Sequence, residues 1–375
     1  MPLRGEVQVQ IPRFPIRYLR EVGKTEGLAR YAALQLPRFL AAGGQWADLA
    51  TAIGRMHPLD QWVAEWRKLG DTYSAGAQAL RSLAAWSAAR HAYALAALYY
   101  HYAHMLIVPP DAERTRLLDR AMAAYEEVGS LSRPQPIRLE VPYSHGYLPG
   151  YLWPGIAHTP APTVILLHGG DSGKPEMLRW VDEFRHRGLG VFSVDMPGQA
   201  ETVTRWGLVM AAPAREVPVA LHAIIDTLSQ CSEVDSHRIA LAGECFGAFM
   251  VLLGAGVLPD LRAVAVVAPR MEPNHNLHTD DEGGRRVWDI VTGGRTEPWE
   301  YDLPQAIAAV QAPLIVVAGE DDRSCPARVW PELLVRTGGP AELVHVVGGV
   351  AVLTNAWVIS RPLIVDWLAR YLDVA

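Results

Sequence analysis

The chain is poor in cysteine. Cys231, Cys245 and Cys325 are the three in 375 residues. They are too few and too scattered for a disulfide framework, and none lies in a C-x-x-C or Cys/His cluster of metal-ligand spacing, so no bound metal is expected. Positive charge is not in excess either. Thirty-four basic residues stand against 40 acidic ones, for a net charge of −6. No run of five like charges occurs, which excludes the electrostatic footprint of a nucleic-acid or anionic-membrane partner. There is no P-loop and no G-x-G-x-x-G fingerprint, so no organic cofactor is expected. The opening MPLRGEVQVQIPRF has no apolar core behind its charges; it does not read as a signal peptide, and a cytoplasmic enzyme is the expectation. The longest stretch without Asp, Glu, Lys or Arg, His91–Pro110, carries three histidines, four tyrosines and a terminal Pro-Pro. It reads as a buried helix rather than a membrane span.

What remains is a chain with 50% hydrophobic residues, long enough for two domains or for one large domain with an appendage. From about Gly27 to Gly129, apolar residues recur at spacings of three and four, as in Trp62, Trp66, Leu69 and in Leu80, Leu83, Trp86. That spacing predicts four or five helices. Ser130–Pro136 carries two prolines that cannot continue a helix, and a boundary is placed there: a helical domain over 1–135 and a catalytic domain over 136–375. Beyond it the texture alternates. Ile137–Val141 and Gly146–Trp153 read as an antiparallel pair. Thr163–Leu167, Val191–Val194, Ile239–Ala242, Ala263–Val267, Leu314–Ala318 and Leu343–Val347 read as buried strands with helical patterns between them, the signature of a doubly wound, mostly parallel sheet. Arg270–Tyr301 is longer than an ordinary connection and reads as a lid.

Chemistry concentrates in three segments. Gly243-Glu244-Cys245-Phe246-Gly247 lies between a strand and a helix, where small residues two before and two after a nucleophile permit the sharp turn of a nucleophile elbow. The nucleophile position holds Cys245. The Phe246 amide and the helix N-terminus would face the reacting oxygen, stabilise an oxyanion and lower a thiol pKa. His168–Gly169–Gly170–Asp171 ends an earlier strand, and the amides of Gly169 and Gly170 are candidates to complete the oxyanion hole, with His168 structural. Val316–Pro326 places Asp322 just past a late strand, where an acid would orient a histidine.

With these segments in view the chain resembles the α/β-hydrolase superfamily. The helix Arg90–Leu106, the stretches Val141–Tyr143 and Leu148–Pro154, the turn Gly169–Glu176, and the segments Asp195–Thr202 and Glu233–Ile239 look like the branch containing dihydroxypseudooxynicotine hydrolase and the FrsA-like esterases. The resemblance implies an α/β-hydrolase fold with an N-terminal helical cap roofing the active site, a serine at the elbow, an acid and a histidine in the last loop. It also makes a homodimer a fair expectation. Two departures stand out. The elbow serine is Cys245, and where a histidine is expected after a glycine pair the loop reads Gly348-Gly349-Val350-Ala351. His345 falls in an apolar strand, and His275 and His278 lie in the lid.

Without a base to activate water an acyl-enzyme would persist, which argues against ordinary hydrolysis. Oxyanion elements without a triad base suit an elimination: a proton leaves the carbon next to a carbonyl, the enolate is held, and a carboxylate departs. Esterase-like lyases that remove acetate from an O-acetylated tetronate in polyketide biosynthesis perform such chemistry, and the chain looks like a member. In that reading Cys245 is a thiolate base or a polar wall, or Asp322 takes the proton. A hydrolase of an ester, or of a C–C bond next to a carbonyl, with a Cys nucleophile is the alternative; a non-catalytic ligand-binding protein is a third. The substrate is expected to be a small hydrophobic molecule, contacted by Trp86, Tyr99, Tyr143 and His278.

Overall fold

The computed structural model of the chain describes residues 5–12, 27–53, 55, 58–157, 159–278, 281–322 and 324–374. Its strands are β1 (Gly5–Gln10), β2 (Ile137–Tyr143), β3 (Gly146–Trp153), β4 (Ala161–Leu167), β5 (Gly190–Val194), β6 (Val234–Glu244), β7 (Ala263–Val267), β8 (Leu314–Gly319) and β9 (Ala341–Val347). They form one sheet in the order β1-β9-β8-β7-β6-β4-β5-β3-β2. β3 pairs antiparallel with both β2 and β5, and the other neighbours are parallel. Strands β4, β5, β7 and β8 are buried at every position. Both faces of the sheet are therefore covered there, which is why these strands read as near-continuous apolar runs.

Among the described residues, five helices precede the sheet's main body: Gly27–Ala41, Trp46–Ile53, Leu59–Ser82, Trp86–His104 and Ala112–Ser130. Their aromatic residues meet one another. Trp66 lies 5.4 Å from Phe39, 5.1 Å from Tyr102 and 5.6 Å from Tyr99 between ring centroids, and Trp62 Nε1–H donates to the Tyr102 carbonyl at 2.7 Å. Burial of several such rings, each worth roughly 1.5–3 kcal/mol, holds the helices together. Among the described residues, no helix is long and apolar enough to cross a membrane.

Three details differ from the sequence expectation. Gly5–Gln10, placed with the helical domain, is an edge strand parallel to β9, with Gln8 opposite His345; its alternation of Val7 and Val9 with glutamines is the period of a strand. The pattern Leu80, Leu83, Trp86 is not one helix, because the chain turns at Ala84 (φ +55°) and leaves Leu83 and Trp86 exposed. The Arg270–Tyr301 segment, read from its length as a lid, is more regular than a connection. It holds a 3-10 turn, Pro273–His278, and the helix Glu282–Thr292, whose Gly283 lies so close to the first helix that a Cβ there would come within 2.1 Å of the Tyr31 ring.

Candidate active site

β6 ends in Gly243-Glu244, the chain turns at Cys245 with φ +53° and ψ −116°, and the helix Phe246–Ala255 begins at once. A non-glycine residue in this region stores strain of about 1–3 kcal/mol, and surrounding contacts hold it. Cys245 N–H donates to the Val267 carbonyl at 3.0 Å, and the Cys245 carbonyl accepts from Phe249 N–H and Arg270 N–H, both at 3.1 Å. Gly247 lets the helix start abut β4: a Cβ there would lie 2.2 Å from the Leu167 carbonyl oxygen.

That approach brings the two glycines after β4 to the elbow. A Cβ on Gly169 would stand 3.8 Å from Cys245 Cβ, and one on Gly170 would stand 3.7 Å from Phe246 Cδ1. As first residue of its helix, Phe246 has an amide with no carbonyl of the same helix four residues back, free for a ligand oxygen. The glycine turn is clamped from the helical region by Arg38. Its guanidinium donates to Glu176 at 2.6 and 2.8 Å, to Asp171 at 2.8 Å and to Ser172 Oγ at 2.9 Å, while Tyr31 O–H donates to Asp171. Burial works to raise the Asp171 and Glu176 carboxyls, but Arg38 outweighs it and holds both below the usual range.

The thiol is not activated. Burial pushes the Cys245 pKa up to about 11, with Arg270 and Arg38 pulling only partly against it. Asp322 is buried with both carboxylate oxygens committed to backbone. Oδ1 accepts from Ser324 and Cys325 N–H at 2.9 and 3.2 Å, and Oδ2 accepts from Val352 N–H at 2.7 Å. Burial raises its pKa despite these bonds. The last loop, with Ala351 where a histidine is expected, folds into a tight 3-10 turn in which Val352 and Leu353 take φ of +55° and +52°. Among the described residues no histidine is hydrogen-bonded to Cys245 or Asp322. His345 stays in β9, its Nε2 buried without a partner.

In front of the elbow lies a cavity of about 320 Å³ lined by Gly169, Gly170, Glu244, Cys245, Phe246 and Arg270, by Tyr31 and Arg38 from the first helix, and by Trp288, Trp299 and Trp357. The sequence-predicted contacts Trp86, Tyr99, Tyr143 and His278 do not line it. Trp86 is the first residue of the helix Trp86–His104 and is exposed. Tyr99 is buried among the helices, its O–H donating to Asp48 at 2.9 Å. Tyr143 ends β2 beside Glu216, and on the 3-10 turn it is His275 that faces the cavity. Asp322 itself is not on the cavity wall. Sequence reading missed Glu244. Its carboxyl accepts from Trp180 Nε1–H at 3.0 Å, and burial, then the charge of Glu176, raises its pKa to about 7 against the pull of Arg38. Its position, a carboxyl directly after the apolar run Ile239–Gly243, does not by itself reveal that pKa.

A family model described as Esterase FrsA-like matches residues 45–293. Esterase FrsA of Vibrio cholerae is 29% identical over 228 residues, 60% of this chain and 51% of its own; the chain spans about half the length of these curated relatives. The 2,6-dihydropseudooxynicotine hydrolase of Paenarthrobacter nicotinovorans is 24% identical over 264 residues, 70% of this chain and 66% of its own. Among solved structures, a 2,6-dihydroxy-pseudo-oxynicotine hydrolase superposes with a TM-score of 0.74 at 22% identity, covering 90% of this chain and 95% of its own. AbyA5 superposes with a TM-score of 0.73 at 15% identity, covering 93% and 96%. At these identities the structural likenesses establish the fold: α/β-hydrolase, with a helical N-terminal region.

Proposed function

Because the chain belongs to the FrsA-like esterases, enzymes of α/β-hydrolase fold, we propose that it is an esterase-like lyase whose site binds a carbonyl and expels a carboxylate instead of hydrolysing an ester. One observation carries the reading: Asp322 gives both oxygens to backbone N–H groups, Oδ2 to Val352 at 2.7 Å, and among the described residues no histidine is bonded to it, while burial keeps the Cys245 thiol protonated at neutral pH. Among the described residues such a site has neither a thiolate nucleophile nor a histidine held by the acid, the pair that a hydrolytic triad uses for acylation and deacylation.

The parts that serve an elimination are present. Glu244, with a pKa of about 7 and a place on the cavity wall, is matched to proton abstraction near neutral pH. It takes the proton from the carbon next to the substrate carbonyl, and the C–H electron pair moves onto the carbonyl oxygen. The amides of Gly170 and Phe246 hold that enolate. The electrons then return to form the alkene, the carboxylate leaves from the β-carbon with its bonding pair, and Glu244 passes its proton to it. Acetate leaving an O-acetylated tetronate fits this scheme. Cys245 is a neutral wall, and Asp322 fixes the last loop.

A second reading, hydrolysis through a Cys245 acyl-enzyme, is favoured by one feature: His275 reaches the same cavity. Turnover of an O-acetylated tetronate in oxygen-18 water separates the two. Elimination gives unlabelled acetate and an alkene in equal amounts; label in the acetate, or an acetyl adduct on Cys245 in the intact-protein mass, establishes hydrolysis instead.

A further inference from the structure

The unfinished hydrogen bonds of this cavity are all of one kind. Among the described residues, the buried side-chain polar atoms of its walls that have no partner are Arg270 Nε and Trp357 Nε1, and both are donors without acceptor capacity. A cavity that leaves donors unmet asks for a ligand rich in acceptor oxygens.

Arg270 makes that demand specific. Its backbone N–H donates to the Cys245 carbonyl at 3.1 Å, which ties it to the elbow. Its Nη2 donates to Asn276 Oδ1 at 2.5 Å, which fixes the plane of the guanidinium from the 3-10 turn. Among the described residues no carboxylate pairs with it. The other arginine on the wall behaves oppositely, because Asp171 and Glu176 neutralise Arg38 at 2.8 and 2.6 Å. Cationic charge held unpaired in a partly buried site is costly unless a ligand supplies the counter-charge. A guanidinium whose fork is already oriented matches a planar anion with two oxygens.

We propose that Arg270 is the residue that selects the substrate, by pairing with an anionic group carried close to the reacting carbonyl: a carboxylate or an ionised enol. The apolar remainder rests against the wall formed by Phe246, Trp299 and Trp288, where Phe246 stacks on Trp299 at 5.7 Å and Trp288 meets Trp299 at 4.7 Å in a tilted arrangement. The inference rests on this cavity being the substrate site and narrows the proposed substrate class from carbonyl compounds in general to acidic ones.

Binding tests it without turnover, so its outcome is independent of the oxygen-18 result. Titration calorimetry at pH 7.5 compares tetronic acid with its neutral 4-O-methyl ether, and levulinate with methyl levulinate. At least one anion is expected to bind the unaltered protein more tightly than its neutral counterpart. Arg270→Gln should weaken that anion by about 30-fold, the loss of one charge-assisted pair, and leave the neutral counterpart within about twofold. Arg270→Lys, which keeps the charge, should restore most of the preference. A preference confined to tetronic acid identifies an enolate substrate; one confined to levulinate identifies a keto acid. The proposal is overturned if the unaltered protein shows no preference within either pair, or if both Arg270→Gln and Arg270→Lys weaken anion and neutral partner alike.

Discussion

Two buried polar clusters flank the turn Gly169–Glu176, and they are built on opposite principles. On one side Lys174, Asp195, Glu201 and His168 are all inaccessible to solvent. Asp195 accepts from His168 at 3.0 Å, from the Glu201 amide at 3.0 Å and from Lys174. Glu201 meets Lys174 at 3.0 Å, Arg138 at 2.9 Å and Arg205 at 2.8 Å. Burial would raise both carboxyls, yet Lys174 holds them well below the usual range. On the other side Cys245 is protonated, Glu244 titrates near neutrality, and Arg270 Nε and Trp357 Nε1 lack partners. The protein thus has a histidine paired with an aspartate, His168 with Asp195, but it spends that pair on holding the turn. Completed polar networks fix position, while incomplete ones keep reactivity and binding capacity in reserve.

The sharpest way to break this contrast is to remove the reserve without touching the scaffold. Glu244→Gln keeps the shape and the Trp180 contact but removes the base, and turnover is expected to fall by about 10²–10⁴-fold with little change in thermal stability. In the unaltered protein the rate should rise with pH through about 7, because the carboxyl must lose its proton to accept another. A limb near 11 would instead point to the Cys245 thiol. Full activity of the glutamine variant would remove Glu244 from the mechanism.

The opposite cluster should answer in stability. Lys174→Met leaves Asp195 and Glu201 facing each other with less compensation in a buried site, and a loss of about 3–5 kcal/mol is expected, read from urea denaturation. A near-neutral result would mean that Arg138 and Arg205 suffice, and that the cluster is less tightly built than its distances imply.

The sequence disclosed these two clusters unequally. The elbow was legible because its demands are local: Gly243 and Gly247 at fixed spacing around Cys245, between a buried strand and a helix. Strands such as Ala263–Val267 were legible because burial on both faces leaves an unbroken apolar run. The cavity walls were not. Periodicity tells that Trp62 and Trp66 lie on one helical face, not whether that face meets other helices or a ligand; here it meets Phe39 and Tyr102, and the wall is made by Trp288 and Trp299 from a segment whose length suggested a lid. Glu244 and Arg270 were silent for a deeper reason. A carboxyl's pKa and an arginine's missing partner depend on what distant parts of the chain place around them, and no local pattern records that.

The smallest effect bears on the residue that looks most like a catalyst. If Cys245 is a wall, Cys245→Ala removes one sulfur from the cavity and leaves the elbow backbone, the Phe246 amide and Glu244 in place. Turnover should then fall by less than about tenfold, roughly 1.4 kcal/mol of barrier. A nucleophile behaves otherwise: deleting one member of a working nucleophile–base unit costs many thousandfold. The strain at φ +53° does not decide between these outcomes, because it belongs to the backbone of the turn, which Cys245→Ala leaves in place. A collapse of activity in Cys245→Ala, paired with full activity in Glu244→Gln, would place chemistry on the thiol and leave the carboxyl as a buried acid with no part in it.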